Sequence, residues 1–205
     1  FKLPSVNIDC LPPDPPFRFG AATTDEHIDT IIEALRGQAW GRKSISDARQ
    51  VLIDRLLGNE FLPAHSFKIL ESHFTRNVRL VLDTGNFCTI AEHIWPAREP
   101  QLCLMSGQGR YMGTSIPMAL AASLSDPTIP TVAVVGDGGI GMHIADVKLA
   151  ARKRLPLLIV LMTDGGFGSI RTRAQKDGFT EAPLTISEPS WLSAFETFGF
   201  QATMV

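Results

Sequence analysis

Residues 131–170 read TVAVVGDGGIGMHIADVKLAARKRLPLLIVLMTDGGFGSI, and the rest of the chain is organised around them. Thr131 to Val135 is an apolar, β-branched run of the kind a buried strand needs. It breaks at Gly136-Asp137-Gly138-Gly139. From Ile140 the period changes: Ile140, Ile144, Val147 and Ala151 fall at helical spacing, with Lys148, Arg152 and Lys153 on other faces. Pro156 ends that helix, and Leu157 to Met162 forms a second strand-like run, closed by the glycine break Asp164-Gly165-Gly166. Strand, helix and strand over about 30 residues make a βαβ unit with parallel strands and a right-handed crossover.

Both glycine breaks then follow the carboxyl ends of parallel strands and lie on one rim of the sheet, where open α/β sheets bind ligands. Asp137 and Asp164 can point at one site, and two carboxylates beside glycines and a helix N-terminus suit a hard divalent cation with a phosphate. Two other readings stay open on the residues alone. Gly136, Gly138 and Gly141 spell G-x-G-x-x-G, the fingerprint of a dinucleotide-binding oxidoreductase, with Asp164 ending the next strand. Asp137 argues against that reading, since a carboxylate between the glycines faces the pyrophosphate and only a cation makes this favourable. The third reading is that these are tight turns with capping aspartates. Glycine clusters sharing a rim are costly without a ligand.

The composition excludes several classes. The chain has 205 residues, 44% hydrophobic and 20% charged, with a net charge of −2, so no basic excess points to nucleic acid. The apolar run from Leu155 to Met162 is too short to span a bilayer. Cys10, Cys88 and Cys103 are odd in number and form no C-x-x-C pair, so we expect reduced thiols acting as small apolar fillers in a cytoplasmic protein without a signal peptide. The five histidines show no metal-ligand spacing; His143, one turn beyond the first glycine break, is near enough in sequence to reach the site.

Outward from the centre, Lys2 to Asp9 reads as a strand, residues 11–16 are proline-rich, and Ile28, Ile31, Ile32 and Leu35 mark a helix stopped by Gly37. Gln38 to Asn59 is more polar, with a helical stretch from Ile45 to Leu57, and reads as a linker. A second domain begins at Leu62-Pro63, with a helix carrying Phe67, Leu70 and Phe74 and a strand from Val78 to Leu82, broken by Asp83-Thr84-Gly85-Asn86. A strand from Leu102 to Met105 leads into a glycine loop and a small-residue helix from about Thr114 or Ser115. Arg171, Arg173 and Lys176 precede Asp177-Gly178, a basic stretch expected to be a mobile lid or a solvated loop. Trp191 to Phe200 is an amphipathic helix.

Gly136-Asp137-Gly138, followed by Thr163-Asp164-Gly165-Gly166-Phe167-Gly168-Ser169-Ile170, resembles the G-D-G…N-D-G-G-Y-G signature of thiamine-diphosphate enzymes of the acetolactate synthase and 2-keto acid decarboxylase family. The resemblance implies that Asp137 and Asp164 ligate Mg²⁺ by side chain and Gly166 by its carbonyl, two diphosphate oxygens completing the shell. It also implies cofactor contacts from Gly136, Gly138, Gly139, Phe167, Gly168 and Ser169 within the same motif. Thr163 stands where the family has its first Asn, and Asp164 stands at the usual ligand Asn, so the shell is one charge more negative.

Asp83-Thr84-Gly85-Asn86 resembles the family's first phosphate-side loop, which implies that Gly85 and Asn86 face the diphosphate. The loop from Ser106 to Gly113 resembles the segment whose bulky apolar residue props the cofactor into its bent shape. Met112 matches that residue, and the Arg110 carbonyl is implied to accept from the cofactor's 4′-amino group. Arg110 and Tyr111 make this loop bulkier than usual.

The fold so implied is α/β, a doubly wound parallel sheet of the thiamine-diphosphate-binding kind, preceded by the end of a second α/β domain. Residues 1–37 are assigned to that central domain, 38–61 to the linker and 62–205 to an incomplete diphosphate and metal domain. The implied activity is a carboligase acting on a 2-keto acid and a second carbonyl such as an aldehyde, with simple decarboxylation as the alternative. Its implied partner is a pyrimidine-binding domain, from another chain or from an N-terminal part this sequence does not contain, in a homodimer or tetramer. That domain supplies a glutamate to N1′ of the cofactor.

Overall fold

The computed structural model describes residues 33, 36, 41–58, 60–74, 77–106, 109–187 and 190–205. The strand expected at Lys2 to Asp9 lies outside them, as do the apolar positions of the helix expected before Gly37. The chain divides into two units, Phe1–Ala48 and Arg49–Val205, and the division falls inside the helix α1 (Arg42–Leu57). The linker expected at 38–61 therefore includes residues of the second unit: Ile53, Leu56 and Leu57 pack against its core. The site lies wholly in that unit.

After α2 (Pro63–His73), strands and helices alternate: β1 (Arg79–Leu82), α3 (Asn86–Ile94), β2 (Cys103–Met105), α4 (Ser115–Ser125), β3 (Thr131–Gly136), α5 (Asp137–His143), α6 (Val147–Lys153) and β4 (Leu157–Met162). Two helices follow, α7 (Gly168–Lys176) and α8 (Trp191–Thr197). The strands form one sheet in the order β2-β1-β3-β4, every pair parallel. Strands β1 and β3 are apolar after their first residues, Arg79 and Thr131, because both their faces are covered. Leu80, Leu82, Val132 and Val134 turn to one face, under α2 and α3. Val81, Ala133 and Val135 turn to the other, under α4, α5, α6 and Phe195 of α8.

The strand order fixes where a ligand can enter. From β1 the chain moves outward to β2, returns across the sheet to β3 beside β1, and then moves outward the other way to β4. The order therefore reverses between β1 and β3, and a crevice opens outside their carboxyl ends. Asp83 stands at the end of β1 and Asp137 at the end of β3.

Some local expectations need correction. The helix after β3 begins at Asp137 and is two helices, α5 and α6, joined by a 3-10 turn over Ile144–Asp146. His143 leaves helical dihedrals (φ −132°, ψ 17°), and its ring instead bonds the Asp146 carboxylate at 2.9 Å. The last turn of α6 closes before Pro156, with Arg154 left-handed at φ 51°. The basic stretch expected as a lid or loop is the helix α7, in which Arg173 pairs with Asp177 one turn on. Among the described residues no helix is long and apolar enough to cross a membrane.

Candidate functional site

Asp137 begins α5 at the floor of the crevice and is 5% exposed. Parallel register carries Gly136 beside Met162, so the residues that follow β3 and β4 meet at the rim. The carboxylate of Asp137 uses this closeness. Its Oδ1 accepts from the Gly138 amide at 2.8 Å. Its Oδ2 accepts from Thr163 Oγ1 (3.0 Å) and from the amides of Gly165 (3.0 Å) and Gly166 (3.2 Å). A buried carboxylate needs such donors. Three of the four come from the β4 loop, so Asp137 fixes that loop against α5.

Asp164 is different. Its side chain is 51% exposed and pairs with Arg171 of α7 at 2.8 Å. The same guanidinium reaches the Asp164 carbonyl at 3.3 and 3.4 Å. Beyond it, the chain from Gly165 to Phe167 is held by the segment before α8: Ile186 donates to the Gly165 carbonyl (2.9 Å) and Phe167 to the Leu184 carbonyl (3.0 Å). Gly168 must be small, since a Cβ there would overlap Asp164 Oδ2 and stand 3.2 Å from Asn86 Nδ2. Asn86 is thereby brought beside Asp164, and the loops after β1 and β4 close on each other. Gly138 faces the Phe167 ring and Gly136 the Phe87 ring, where added Cβ atoms would lie 2.7 and 3.4 Å away. Gly85 precedes α3, and Ser169 is exposed on the first turn of α7.

The loop after β2 completes the rim. Arg110 is left-handed at φ 46°, a conformation in which a non-glycine residue is uncommon. Its side chain pairs with Glu92 at 2.8 Å and its carbonyl accepts from Thr84 Oγ1 at 2.7 Å. Met112 is half-buried beside buried Gly113, and the Gly113 amide donates to Asp83 Oδ2 at 2.9 Å. His143 Cδ2 lies 3.0 Å from where a Cβ on Gly113 would stand, so His143 does reach this loop. Burial pushes the Asp83 carboxyl above its usual range, against the amides of Gly113, Thr84 and Ser115 and the charge of His143, which pull it down.

The sequence puts Asp83 and Thr84 in the phosphate-side loop and Arg171 in the basic stretch after the second glycine break, but gives none of the three a role of its own. The D-x-G motif was the available signal for the first of them. Cys88 and Cys103 are free thiols; burial, then the Glu92 charge, pushes Cys88 up to about 11.

No group of three or more His, Cys, Asp or Glu side chains among the described residues could hold a metal. A cation at this rim would take oxygens from carboxylates, the backbone and a ligand, an all-oxygen shell of the kind that suits Mg²⁺. The glycines let protein atoms close on the rim, Phe167 at Gly138, Phe87 at Gly136 and Asp164 at Gly168, and two carboxylates there would make the binding of an anion depend on a cation. The residues fit a metal diphosphate.

The sequence profile of the family described as "Thiamine pyrophosphate enzyme, C-terminal TPP binding domain" matches residues 83–205. The chain belongs to this family. It binds thiamine diphosphate, and enzymes of the family use Mg²⁺ with the diphosphate. Over 187 residues it is 28% identical to "Acetolactate synthase, catabolic" of Raoultella terrigena, covering 83% of this chain and 33% of that protein. It is 32% identical over 112 residues to the acetolactate synthase isozyme 2 large subunit of Escherichia coli, covering 53% of this chain and 20% of that one. With human 2-hydroxyacyl-CoA lyase 2 it shares 25% identity over 152 residues, or 68% and 24% of the two chains. The thiamine diphosphate-dependent 4-hydroxybenzoylformate decarboxylase of Rhodococcus jostii has the same fold, with a TM-score of 0.65 at 20% identity over 73% of this chain and 28% of the enzyme. The chain thus spans a third or less of the length of these relatives.

Proposed function

We propose that this chain forms the diphosphate and metal half of a thiamine-diphosphate carboligase of the acetolactate synthase type. The observation that carries the reading is the convergence of the Asp137, Asp164, Asn86 and Met112 loops on the β1–β3 crevice, inside the residues the family profile matches. The choice of carboligase rests on the similarity to acetolactate synthases, one of which pairs with 83% of this chain.

In this reading Asp137 and Asp164 hold Mg²⁺ by side chain and Gly166 by its carbonyl. Gly85, Asn86, Gly136, Gly138, Gly139, Phe167, Gly168 and Ser169 receive the diphosphate end of the cofactor. Met112 supports its middle, and the Arg110 carbonyl, which has a lone pair beyond the one Thr84 uses, accepts from its amino group. Bound there, thiamine diphosphate supplies a nucleophilic carbon and an electron sink for a bond that breaks or forms beside a carbonyl. The chain's own part is orientation and the exclusion of alternatives: a propped cofactor spends less entropy reaching its reactive shape.

A second domain is needed. Tyr111 on the β2 loop, Met142 on α5, and Ile170 and Phe179 in and after α7 are large apolar side chains exposed in the segments that follow β2, β3 and β4. Such exposure suits a covering partner, and a pyrimidine-binding domain from a neighbouring subunit or the rest of the polypeptide would supply it.

Simple decarboxylation is the second reading. The observation behind it is the fold shared with a thiamine diphosphate-dependent decarboxylase, and His143, bonded to Asp146 beside Gly113, is a side chain able to hold a proton near this loop. The test is product analysis: join the chain to its pyrimidine-binding domain, supply Mg²⁺, thiamine diphosphate and pyruvate, and separate acetolactate from acetaldehyde. Acetolactate as main product supports the carboligase; acetaldehyde alone replaces it with the decarboxylase. The isolated chain should show no turnover, and rates of roughly 1 s⁻¹ or more from it would remove the need for the second domain.

A further inference from the structure

Met112 sits between two hydrogen bonds that come from adjacent residues on another loop. Two residues before it, the Arg110 carbonyl accepts from Thr84 Oγ1 at 2.7 Å. One residue after it, the Gly113 amide donates to Asp83 Oδ2 at 2.9 Å. Asp83 is itself locked to the sheet, since its amide donates to the Val134 carbonyl of β3 at 2.9 Å. The same Oδ2 lies against Gly139 of α5, where a Cβ would overlap it. One carboxylate, 1% exposed, therefore meets the loop of Met112 and the helix that begins at Asp137. Packing alone does not explain it, because an apolar side chain would fill this place without burying a carboxylate whose second oxygen, Oδ1, has no well-formed hydrogen bond.

We propose that Asp83 and Thr84 are positioning residues that set the place of Met112 relative to the Asp137 metal site. This rests on the thiamine-diphosphate reading above. Neither residue touches the cofactor's reacting atoms; both act through the Arg110–Gly113 backbone, whose displacement would spoil the shape that Met112 imposes.

The test uses the complete enzyme, with its pyrimidine-binding domain, and four variants: Asp83→Ala, Asp83→Asn, Thr84→Val and Thr84→Ser. Three quantities are read: the dissociation constant for thiamine diphosphate in Mg²⁺, hydrogen–deuterium exchange at C2 of the bound cofactor, and amide exchange in residues 109–114 without cofactor. We expect Asp83→Ala and Thr84→Val to slow C2 exchange by up to about 10²-fold at unchanged cofactor affinity, and to speed amide exchange in the loop. Asn and Ser keep the acceptor and the donor, so they should restore both rates. Should Asp83→Ala fail to fold, Thr84→Val, close to isosteric and half-buried, decides alone. C2 exchange at the wild-type rate in a folded Ala or Val variant overturns the proposal, and so does a loss of affinity that matches the loss of rate. A wild-type enzyme that binds no thiamine diphosphate overturns the parent reading instead; loop amide exchange unaltered by Asp83→Ala overturns this one alone.

Discussion

The loops after β3 and β4 carry similar sequences, Asp137-Gly138-Gly139 and Asp164-Gly165-Gly166, yet their aspartates live in opposite surroundings. Asp137 is buried and accepts hydrogen bonds from Gly138, Thr163, Gly165 and Gly166. Asp164 is half exposed and its carboxylate answers to Arg171 alone among the described residues. The first carboxylate is part of how the loops fold, because removing it takes the acceptor from the buried Gly166 amide and the part-buried Gly165 amide. The second is held only by a partly exposed ion pair, which contributes little to stability. The site therefore has a fixed carboxylate and an adjustable one, and four substitutions measure how far this difference goes.

The largest effect should come from Asp137→Ala. It strands the Thr163 hydroxyl and the Gly165 and Gly166 amides, and should destabilise the domain by about 3 kcal/mol, besides abolishing metal-dependent cofactor binding. Denaturant unfolding beside a binding titration checks both; a variant as stable as wild type would show that Asp137 does not organise the β4 loop. Next comes Asp164→Ala, which should lose cofactor binding in Mg²⁺ while the unfolding midpoint stays at the wild-type value. Asp164→Asn should keep binding, since the amide oxygen still coordinates; binding lost equally in both variants would misassign the second ligand. The smallest effect belongs to Arg171→Met. Freed from its ion pair, worth up to about 1 kcal/mol, Asp164 should bind Mn²⁺, a spectroscopic stand-in for Mg²⁺, several-fold more tightly. Weaker Mn²⁺ binding would mean that Arg171 orients the ligand instead of competing for it.

Much of the fold was legible because it is written in local patterns. The runs at 80–82, 132–135 and 157–162 are apolar on both faces, and the last two begin just after a proline-marked turn, a pattern that fits parallel strands covered on both sides. Asp137 and Asp164 stood out because each closes such a run beside glycines. Asp83, Thr84 and Arg171 did not. Asp83 meets Gly113 and Thr84 meets Arg110 only because β2 and β3 both flank β1, and strand order leaves no trace in periodicity. Helix α7 is hidden in the sequence for a different reason: it buries only Ala174, so it carries almost no apolar period. The split between α5 and α6 was hidden for the opposite reason, since Ile140, Ile144 and Val147 keep a helical spacing across the turn that divides them.

The central claim is that two carboxylates at this rim receive a diphosphate only through a cation. It is tested most directly by titrating thiamine diphosphate calorimetrically into the complete enzyme, once in EDTA and once in excess Mg²⁺. The account predicts heat of binding and saturation in Mg²⁺ and none in EDTA. Equal affinity under both conditions would contradict it.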